Sequence, residues 1–264
     1  MISRHSVTLA TALIALAPLA HAQSQSQSRH ETISGSSLII DSPCARTVNV
    51  QPDGAAGQIT LDAKADNQEE VAQLLFTSAD SPRLTVEHDC WRPNFSSSFR
   101  STLHVVLHVP AGASLSIDES GPTQYQVGDL GGPLTLDLSG PVSFRAGRIT
   151  DLQADLSGPA DIHISAVDGK IHTDQSGPGR LDIGTANAPD VNMDVSGVGG
   201  VEVSSGMIGH LHLENSGMAA ISVGATITDA NVELSGVGSV KLARVTGSLT
   251  KEVSGVGDIS VGGR

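Results

Sequence analysis

The 264-residue sequence contains few aromatic side chains, since Trp, Tyr and Phe together make up 2% of it. Enzymes that cleave polysaccharides work with paired carboxylates and usually hold the sugar rings on aromatic side chains. The shortage therefore argues against a carbohydrate-active enzyme.

Basic side chains and long apolar runs are also scarce. The chain has 15 Lys and Arg residues against 28 Asp and Glu residues, a net charge of −13. A chain of this charge repels phosphate backbones, so we expect no nucleic-acid partner. No apolar run approaches the roughly 20 residues of a membrane-spanning helix, so we expect no transmembrane anchor.

The most apolar segment lies near the N-terminus, from Val7 to Leu19, after a basic start at Arg4. It leads into Ala20-His21-Ala22, a small-x-small pattern typical of a signal-peptidase site. We predict a signal peptide over residues 1–22, cleavage near Ala22, and a mature chain that is periplasmic or secreted. The Gln-Ser repeat that follows predicts a flexible tether over residues 23–37.

The sequence has only two cysteines, Cys44 and Cys90. An even number of cysteines in an exported chain predicts a disulfide, because compartments outside the cytoplasm are oxidising. A metal or redox pair is the alternative, although the spacing does not match Cys-x-x-Cys. On the chain-entropy model, closing a loop of this length stabilises a fold by roughly 4 kcal/mol, less any strain.

The dipeptide Ser-Gly recurs at a nearly constant interval through the second half of the chain. Successive copies are 18 to 20 residues apart, and their serines are Ser120, Ser139, Ser157, Ser176, Ser196, Ser216, Ser235 and Ser254. A chance dipeptide would not keep this interval, so the chain contains structural repeats of about 19 residues.

Residues around each Ser-Gly keep the same character in every repeat. The fifth residue before the serine is apolar, from Leu115 to Leu249, and so is the fifth residue after it, from Tyr125 to Ile259. Polar residues alternate with these apolar positions. The alternation predicts two short strands in each repeat, each with one buried face.

Such strands can bury their apolar faces by winding around a shared axis, so that each coil pairs in parallel with the next. The sequence therefore predicts an all-β fold, a parallel β-helix or β-solenoid with coils of about 19 residues. We expect a right-handed solenoid, as parallel crossovers usually are, and an antiparallel sandwich is the alternative. The glycine of each Ser-Gly predicts a corner with positive φ.

The predicted solenoid has two parts. Residues 38–110 show alternating patches without the Ser-Gly repeat, and we expect them to start the solenoid and cap its first end. We expect residues 111–264 to form the repetitive β-solenoid. An uncovered solenoid end exposes a strand edge, so we expect the C-terminal end to dock on another copy of the chain or on another protein.

Several of these segments resemble one known family. The run from Ser254 to Val261, which reads Ser-Gly-Val-Gly-Asp-Ile-Ser-Val, its relatives that begin at Ser196 and Ser235, and the lead-in from Leu107 to Pro110 resemble the head GIN domain family of auto-transporter adhesins. The resemblance covers roughly residues 46–264. It implies a β-helical exported protein, and it supplies no catalytic residues.

An acidic residue stands two positions before every repeat serine. The eight residues are Asp118, Asp137, Asp155, Asp174, Asp194, Glu214, Glu233 and Glu252. Because paired strands lie about 4.8 Å apart, they predict an acidic column along one outer face. Clustered oxygens suit hard divalent cations, so the column predicts either a Ca²⁺ site or a solvated face that resists aggregation.

Histidines and serines also invite a functional interpretation. His172 and His212 share a column but are two coils apart, about 10 Å, which is too far for one metal ion. Surface histidines are therefore favoured over a metal site, also for His210 beside His212 and for His104 with His108. The repeat serines have no matching histidines, which indicates a corner motif and not a hydrolase.

The sequence as a whole predicts a non-catalytic exported β-solenoid. It would serve as an adhesin-like interaction module of the cell envelope or surface, with a protein or an envelope component as its partner. Two alternatives stay open. One is a carbohydrate-active β-helix similar to polysaccharide lyases or pectinases, and the other is a cation-responsive structural module.

Overall fold

The computed structural model describes residues 26–78, 81–86 and 101–262. Within them, 20 strands form a single sheet system, and one short helix lies between two of the strands in the sequence. The elements are β1 (Gln27–Ser34), β2 (Ser37–Asp41), β3 (Thr47–Gln51), β4 (Gln58–Ala65), α1 (Gln68–Ala72), β5 (Leu74–Thr77), β6 (Arg83–Val86), β7 (His104–His108), β8 (Ser114–Glu119), β9 (Thr123–Val127), β10 (Leu134–Leu138), β11 (Val142–Ile149), β12 (Leu152–Leu156), β13 (Ala160–Val167), β14 (Ile171–Gln175), β15 (Pro178–Val195), β16 (Val198–Asn215), β17 (Met218–Leu234), β18 (Val237–Val245), β19 (Leu249–Val253) and β20 (Val256–Val261).

From β8 onward, each strand pairs in parallel with its counterpart in the next coil. The register is the one that the repeat predicts: Leu134 of β10 lies beside Leu115 of β8 and Leu152 of β12. In β15 and β16 the pairing continues through the corner between the two predicted strands. The predicted parallel β-solenoid is confirmed, and its right-handed sense stays a prediction.

Apolar side chains from the two predicted inward columns fill the interior, from Leu115 to Leu211 and from Tyr125 to Ile259. Another inward column stands directly before each repeat serine. It contains apolar residues such as Leu138 and the buried polar residues Glu119, Gln175 and Asn215. Their side chains bond corner backbone, as when the Asn215 amide donates to the carbonyl of Ala219 at 3.2 Å.

The Ser-Gly corners stack directly on one another. The carbonyl of Leu138 accepts from the N–H groups of both Ser157 and Gly158 in the next coil, each at 3.0 Å. The expected positive φ is wrong, because none of the eight Ser-Gly glycines has one. A Cβ on Gly177 would instead lie 2.4 Å from the carbonyl oxygen of Gly158. Glycine is needed because successive corners touch backbone to backbone.

The region before the repeats adds further layers to the stack. β2 and β3 pair in parallel with β8 and β9, and on their other side with β6 and β7. Antiparallel strands follow: β4 pairs with β7, β1 with β4, and β5 with β6. Buried residues of these strands, such as Ile59 and Leu61, join the common core. The antiparallel strands therefore cover this end of the core.

β1 lies inside the segment for which the sequence predicts a flexible tether. Its eight residues pair with β4 from Gln27 opposite Ala65 to Ser34 opposite Gln58, and Ile33 packs against the core. The polar sequence of this segment does not indicate a strand, because β1 buries only part of every second side chain. The predicted signal peptide lies outside the described residues.

The opposite end of the solenoid carries a charge at an inward position. Lys251 stands three residues before its repeat serine, where earlier coils place buried uncharged side chains such as Leu213 and Val232. Its ammonium group donates to the carbonyl of Ile259 at 2.9 Å. The last coil therefore differs from the others in its core chemistry.

Two further expectations concern the cysteines and the membrane. Cys44 lies between β2 and β3 with a φ of 54°. Cys90 falls outside the described residues, so the disulfide stays a prediction. In the part of the chain that the structure describes, no helix is long and apolar enough to cross a membrane.

Candidate functional site

One outer face of the solenoid carries three columns of outward side chains, at the positions six, four and two residues before each repeat serine, and all of them except Pro133 are polar. We call it the ladder face. The column two residues before the serine is the acidic column, whose members lie beside one another in register, from Asp118 beside Asp137 to Glu233 beside Glu252. Asp41 of β2 pairs with Asp118 and extends the column by one residue.

Negative charges crowd together at the start of the acidic column. Partial burial raises the pKa of Asp118, and the neighbouring carboxylates of Asp137 and Asp41 raise it further. The guanidinium of Arg83, 3.1 Å from the Asp41 carboxylate, acts in the opposite direction. This part of the column therefore holds negative charge at an energetic cost that a cationic partner would relieve.

A groove with a volume of about 580 Å³ runs beside the acidic column on the ladder face. It crosses five coils, so it follows the solenoid axis. Its polar lining consists of Lys170, His172, Asp190, Asn192, His210, His212, Asp229, Asn231, Ser248 and Thr250.

Hydrogen bonds orient the side chains in the part of the groove that lies nearer the C-terminal coils. The amide of Asn231 donates to Nδ1 of His212 at 3.3 Å, so the ring proton is on Nε2, which donates to Glu214 at 3.1 Å. His210 lies 3.5 Å from the carboxylate of Asp229. The acidic column thus holds His212 in one tautomer and orientation.

The part of the groove that lies nearer the N-terminal coils contains His172 and Asn192. Asn192 lies between His172 and His212 in register, which agrees with the predicted separation of the two imidazoles. The side-chain oxygen of Asn192 is buried without a hydrogen-bond partner. Among the described residues, no group of three or more His, Cys, Asp or Glu side chains could hold a metal ion.

The ladder face offers hydrogen-bond donors, acceptors and a continuous row of carboxylates. This arrangement can bind a polar or cationic partner that lies along the solenoid axis. The sequence predicts the acidic column but misses two features. Asp41 lacks a following Ser-Gly, and only the repetition of Leu-x-Ile-Asp in residues 38–41 and 115–118 reveals it. The groove depends on how far each outward side chain projects from the surface, and a sequence does not show this.

The chain is similar to one known protein family. A family model described as "Putative auto-transporter adhesin, head GIN domain" matches residues 40–264. None of the curated proteins compared with the chain matches it.

Several solved structures are similar to this chain. A "putative adhesin" from Bacteroides fragilis is 13% identical with a TM-score of 0.44, over 90% of this chain and 98% of that one. A "putative adhesin" from Parabacteroides merdae is 14% identical with a TM-score of 0.46, over 90% and 96%. A "Putative lipid binding protein" from Parabacteroides distasonis is 17% identical with a TM-score of 0.45, over 89% and 96%.

Proposed function

The chain belongs to the head GIN domain family, and from that premise we propose that it is a non-catalytic, exported, adhesin-like module whose ladder face binds a protein or a cell-envelope component. The observation that carries the proposal is the ladder face itself. Eight coils repeat the same outward chemistry at an interval of about 4.8 Å, which makes a line of carboxylates roughly 34 Å long.

The charge of the ladder face indicates the chemistry of its partner. From Lys170 to Glu252 the three columns contain seven carboxylates, at Asp174, Asp190, Asp194, Glu214, Asp229, Glu233 and Glu252. Their field attracts cationic surfaces and repels anionic ones. We therefore propose a partner rich in Lys and Arg side chains, bound with a strong dependence on salt concentration.

Export is part of this proposal. It rests on the signal pattern before Ala22 and on the pair Cys44 and Cys90, which would form a disulfide in an oxidising compartment. A periplasmic or secreted location is the one in which an adhesin-like module meets envelope and surface components.

Binding of candidate partners to the immobilised chain (residues 23–264) tests the proposal. The probes are envelope fractions and a panel of purified surface proteins. A ladder-face variant carries D174N, D194N and E214Q, and a matched control carries D161N, D182N and E202Q, which removes the same charge from other outward positions of the solenoid. We expect at least one specific binder, and at least tenfold weaker binding by the ladder-face variant alone. Equal binding by both variants would assign the interaction to another surface.

A cation-responsive role is the second candidate, and the raised pKa of Asp118 beside Asp41 and Asp137 favours it. Thermal unfolding in EDTA and then in millimolar Ca²⁺ tests it, because a ligand that binds only the native state raises the melting temperature. An unchanged melting temperature would leave the carboxylates as a solvated face.

The carbohydrate-active alternative has its own test. Release of new reducing ends from polysaccharides that are incubated with the chain would favour it.

A further inference from the structure

Three histidines lie among the carboxylates of the ladder face: His172, His210 and His212. His210 stands in register between Asp190 in the coil before it and Asp229 in the coil after it. Its Nδ1 is 3.5 Å from the Asp229 carboxylate. All three imidazoles border the groove beside the acidic column. A charge that forms on any of them therefore changes the electrostatic potential along the groove.

His172 has a different set of neighbours. On its own strand it stands between Lys170 and Asp174, two residues away on either side. The adjacent strands place the uncharged side chains of Gln153 and Asn192 beside it. The charged residues diagonal to it are Asp151, Asp155, Asp190 and Asp194. The ring is exposed to solvent, and carboxylates outnumber cations around it.

His212 links protonation to the hydrogen bonds of the groove. Its Nδ1 accepts from the Asn231 amide at 3.3 Å, and its Nε2 donates to Glu214 at 3.1 Å. A proton on Nδ1 turns this acceptor into a donor, so Asn231 must rotate its side-chain oxygen toward the ring. The groove then loses a hydrogen-bond acceptor and gains the NH2 group of Asn231. The charged residues diagonal to His212 are Asp190, Asp194, Asp229 and Glu233.

We propose that these three histidines make the ladder face a pH-dependent binding surface, which holds a cationic partner at neutral pH and releases it at mildly acidic pH. The inference rests on the proposed function. Between Lys170 and Glu252 the three columns carry seven carboxylates and one ammonium group, a net charge of −6 with neutral imidazoles. Three imidazolium charges reduce this net charge to −3. Histidine is the side chain whose charge ordinarily changes between pH 5 and pH 8.

Two effects of acid act against a partner rich in Lys and Arg. The weaker negative charge of the ladder face attracts its cations less strongly. The rotated Asn231 side chain offers a donor to ammonium and guanidinium groups, which are themselves only donors. Linkage between two binding equilibria is reciprocal, so a bound cationic partner must in turn expel protons from the imidazoles.

Binding of a decalysine peptide tests the inference, because lysine keeps its charge at neutral and mildly acidic pH. We expect its dissociation constant on the untagged chain to rise roughly 5–150-fold from pH 7.5 to pH 5.5, the usual range for linked equilibria. The ladder-histidine variant H172Q/H210Q/H212Q should lose most of this rise. H172Q/H210Q keeps the hydrogen bonds of His212 and should show an intermediate rise, which guards against a folding defect in the triple variant.

The control variant is H30Q/H104Q/H163Q, which removes three exposed histidines that lie outside the ladder face. We expect it to keep the full pH dependence of the wild type. Proton release provides a second readout, measured by calorimetry at mildly acidic pH in two buffers that differ in ionisation enthalpy. Decalysine should release protons from the wild type and the control variant, and not from the ladder-histidine variant.

The outcomes separate this inference from the proposed function. An unchanged pH dependence in the ladder-histidine variant, or its loss in the control variant, overturns the inference and leaves the proposed function intact. If decalysine does not bind at neutral pH, or binds the ladder-face variant as tightly as the wild type, the proposed function is wrong and the inference falls with it.

Discussion

Glu119 shows how a single residue departs from the repeat. It occupies the inward position before Ser120, where most coils carry Leu or Val, and it is fully buried. Its carboxylate accepts hydrogen bonds from the Tyr125 hydroxyl at 2.6 Å and from the N–H of Gly121 at 2.8 Å. Burial raises the pKa of Glu119, and these hydrogen bonds only partly offset that effect.

The raised pKa of Glu119 predicts a specific pH dependence of stability. The folded state binds the Glu119 proton more tightly than the unfolded state does, so the wild type loses stability as the pH rises through the folded pKa. Glu119→Gln removes this titration. We expect the free energy of unfolding of the variant, relative to that of the wild type, to increase as the pH rises above the ordinary pKa range of a glutamate, as measured in urea titrations.

A control separates Glu119 from general charge effects. Glu252→Gln removes an exposed carboxylate of the acidic column and should show no such gain from burial. A difference between Glu119→Gln and the wild type that is the same at every pH would show that Glu119 does not titrate as the structure implies.

Gly177 provides a second prediction at the scale of the residue. Gly177→Ala places a Cβ 2.4 Å from the carbonyl oxygen of Gly158, which forces adjacent coils apart. We expect a loss of about 1–3 kcal/mol in the free energy of unfolding, the usual cost of overpacking, measured by chemical denaturation. Ser176→Ala at the neighbouring exposed position should cost less than about 0.5 kcal/mol. Equal effects would show that the corners do not stack tightly.

At the scale of the element, β19 and β20 form the last coil that the structure describes. Val253 is 47% exposed and Val256 is 73% exposed, so this coil leaves apolar surface uncovered. The sequence predicts that this end docks on another copy of the chain or on another protein. Lys251 opposes docking on another copy of the chain, because an inward-pointing charge on an edge strand hinders pairing with a second sheet.

We therefore expect the wild type to stay monomeric through this end and Lys251→Leu to self-associate. The substitution restores the apolar chemistry of the inward column and removes the charge that a docked coil would have to bury. Light scattering after size-exclusion chromatography measures the change in mass with concentration. Lys241→Leu adds the same side chain at an exposed position and should stay monomeric. A monomeric Lys251→Leu would contradict the protective role.

At the scale of the whole molecule, the two ends of the solenoid differ. The first end is covered by antiparallel strands β1, β4 and β5, whereas the last coil is marked by Lys251. The predicted disulfide between Cys44 and Cys90 would connect the corner after β2 with the segment between β6 and β7. It would therefore tie the capping region to the first coil.

Removal of this disulfide should lower the stability of the whole molecule. We expect C44S/C90S to lose roughly 4 kcal/mol in the free energy of unfolding, less any strain in the native bond. A reducing agent should destabilise the wild type equally and leave the variant unchanged. A thiol titration that finds two free cysteines in the unfolded, unreduced chain would contradict the disulfide.

The repeat explains why so much of the fold could be predicted from the sequence. Eight copies of Ser-Gly at one interval align Leu115, Leu134 and Leu152 in a single column, and the structure pairs these residues. The capping region could not be predicted in this detail, because β2 and β3 are separated from their partners β8 and β9 by a long insertion. For the same reason Asp41 was not recognised as part of the acidic column.

The sequence by itself determined the period, the inward and outward faces of the strands, and the acidic column, because a parallel stack places equivalent residues side by side. Only the tertiary structure decided why the corners need glycine, which is contact between successive backbones and not positive φ. It also decided which distant side chains meet. The Asp62 carboxylate lies between the imidazoles of His30 and His108. These three residues come from strands without a repeat, so only the antiparallel pairing of those strands brings them together.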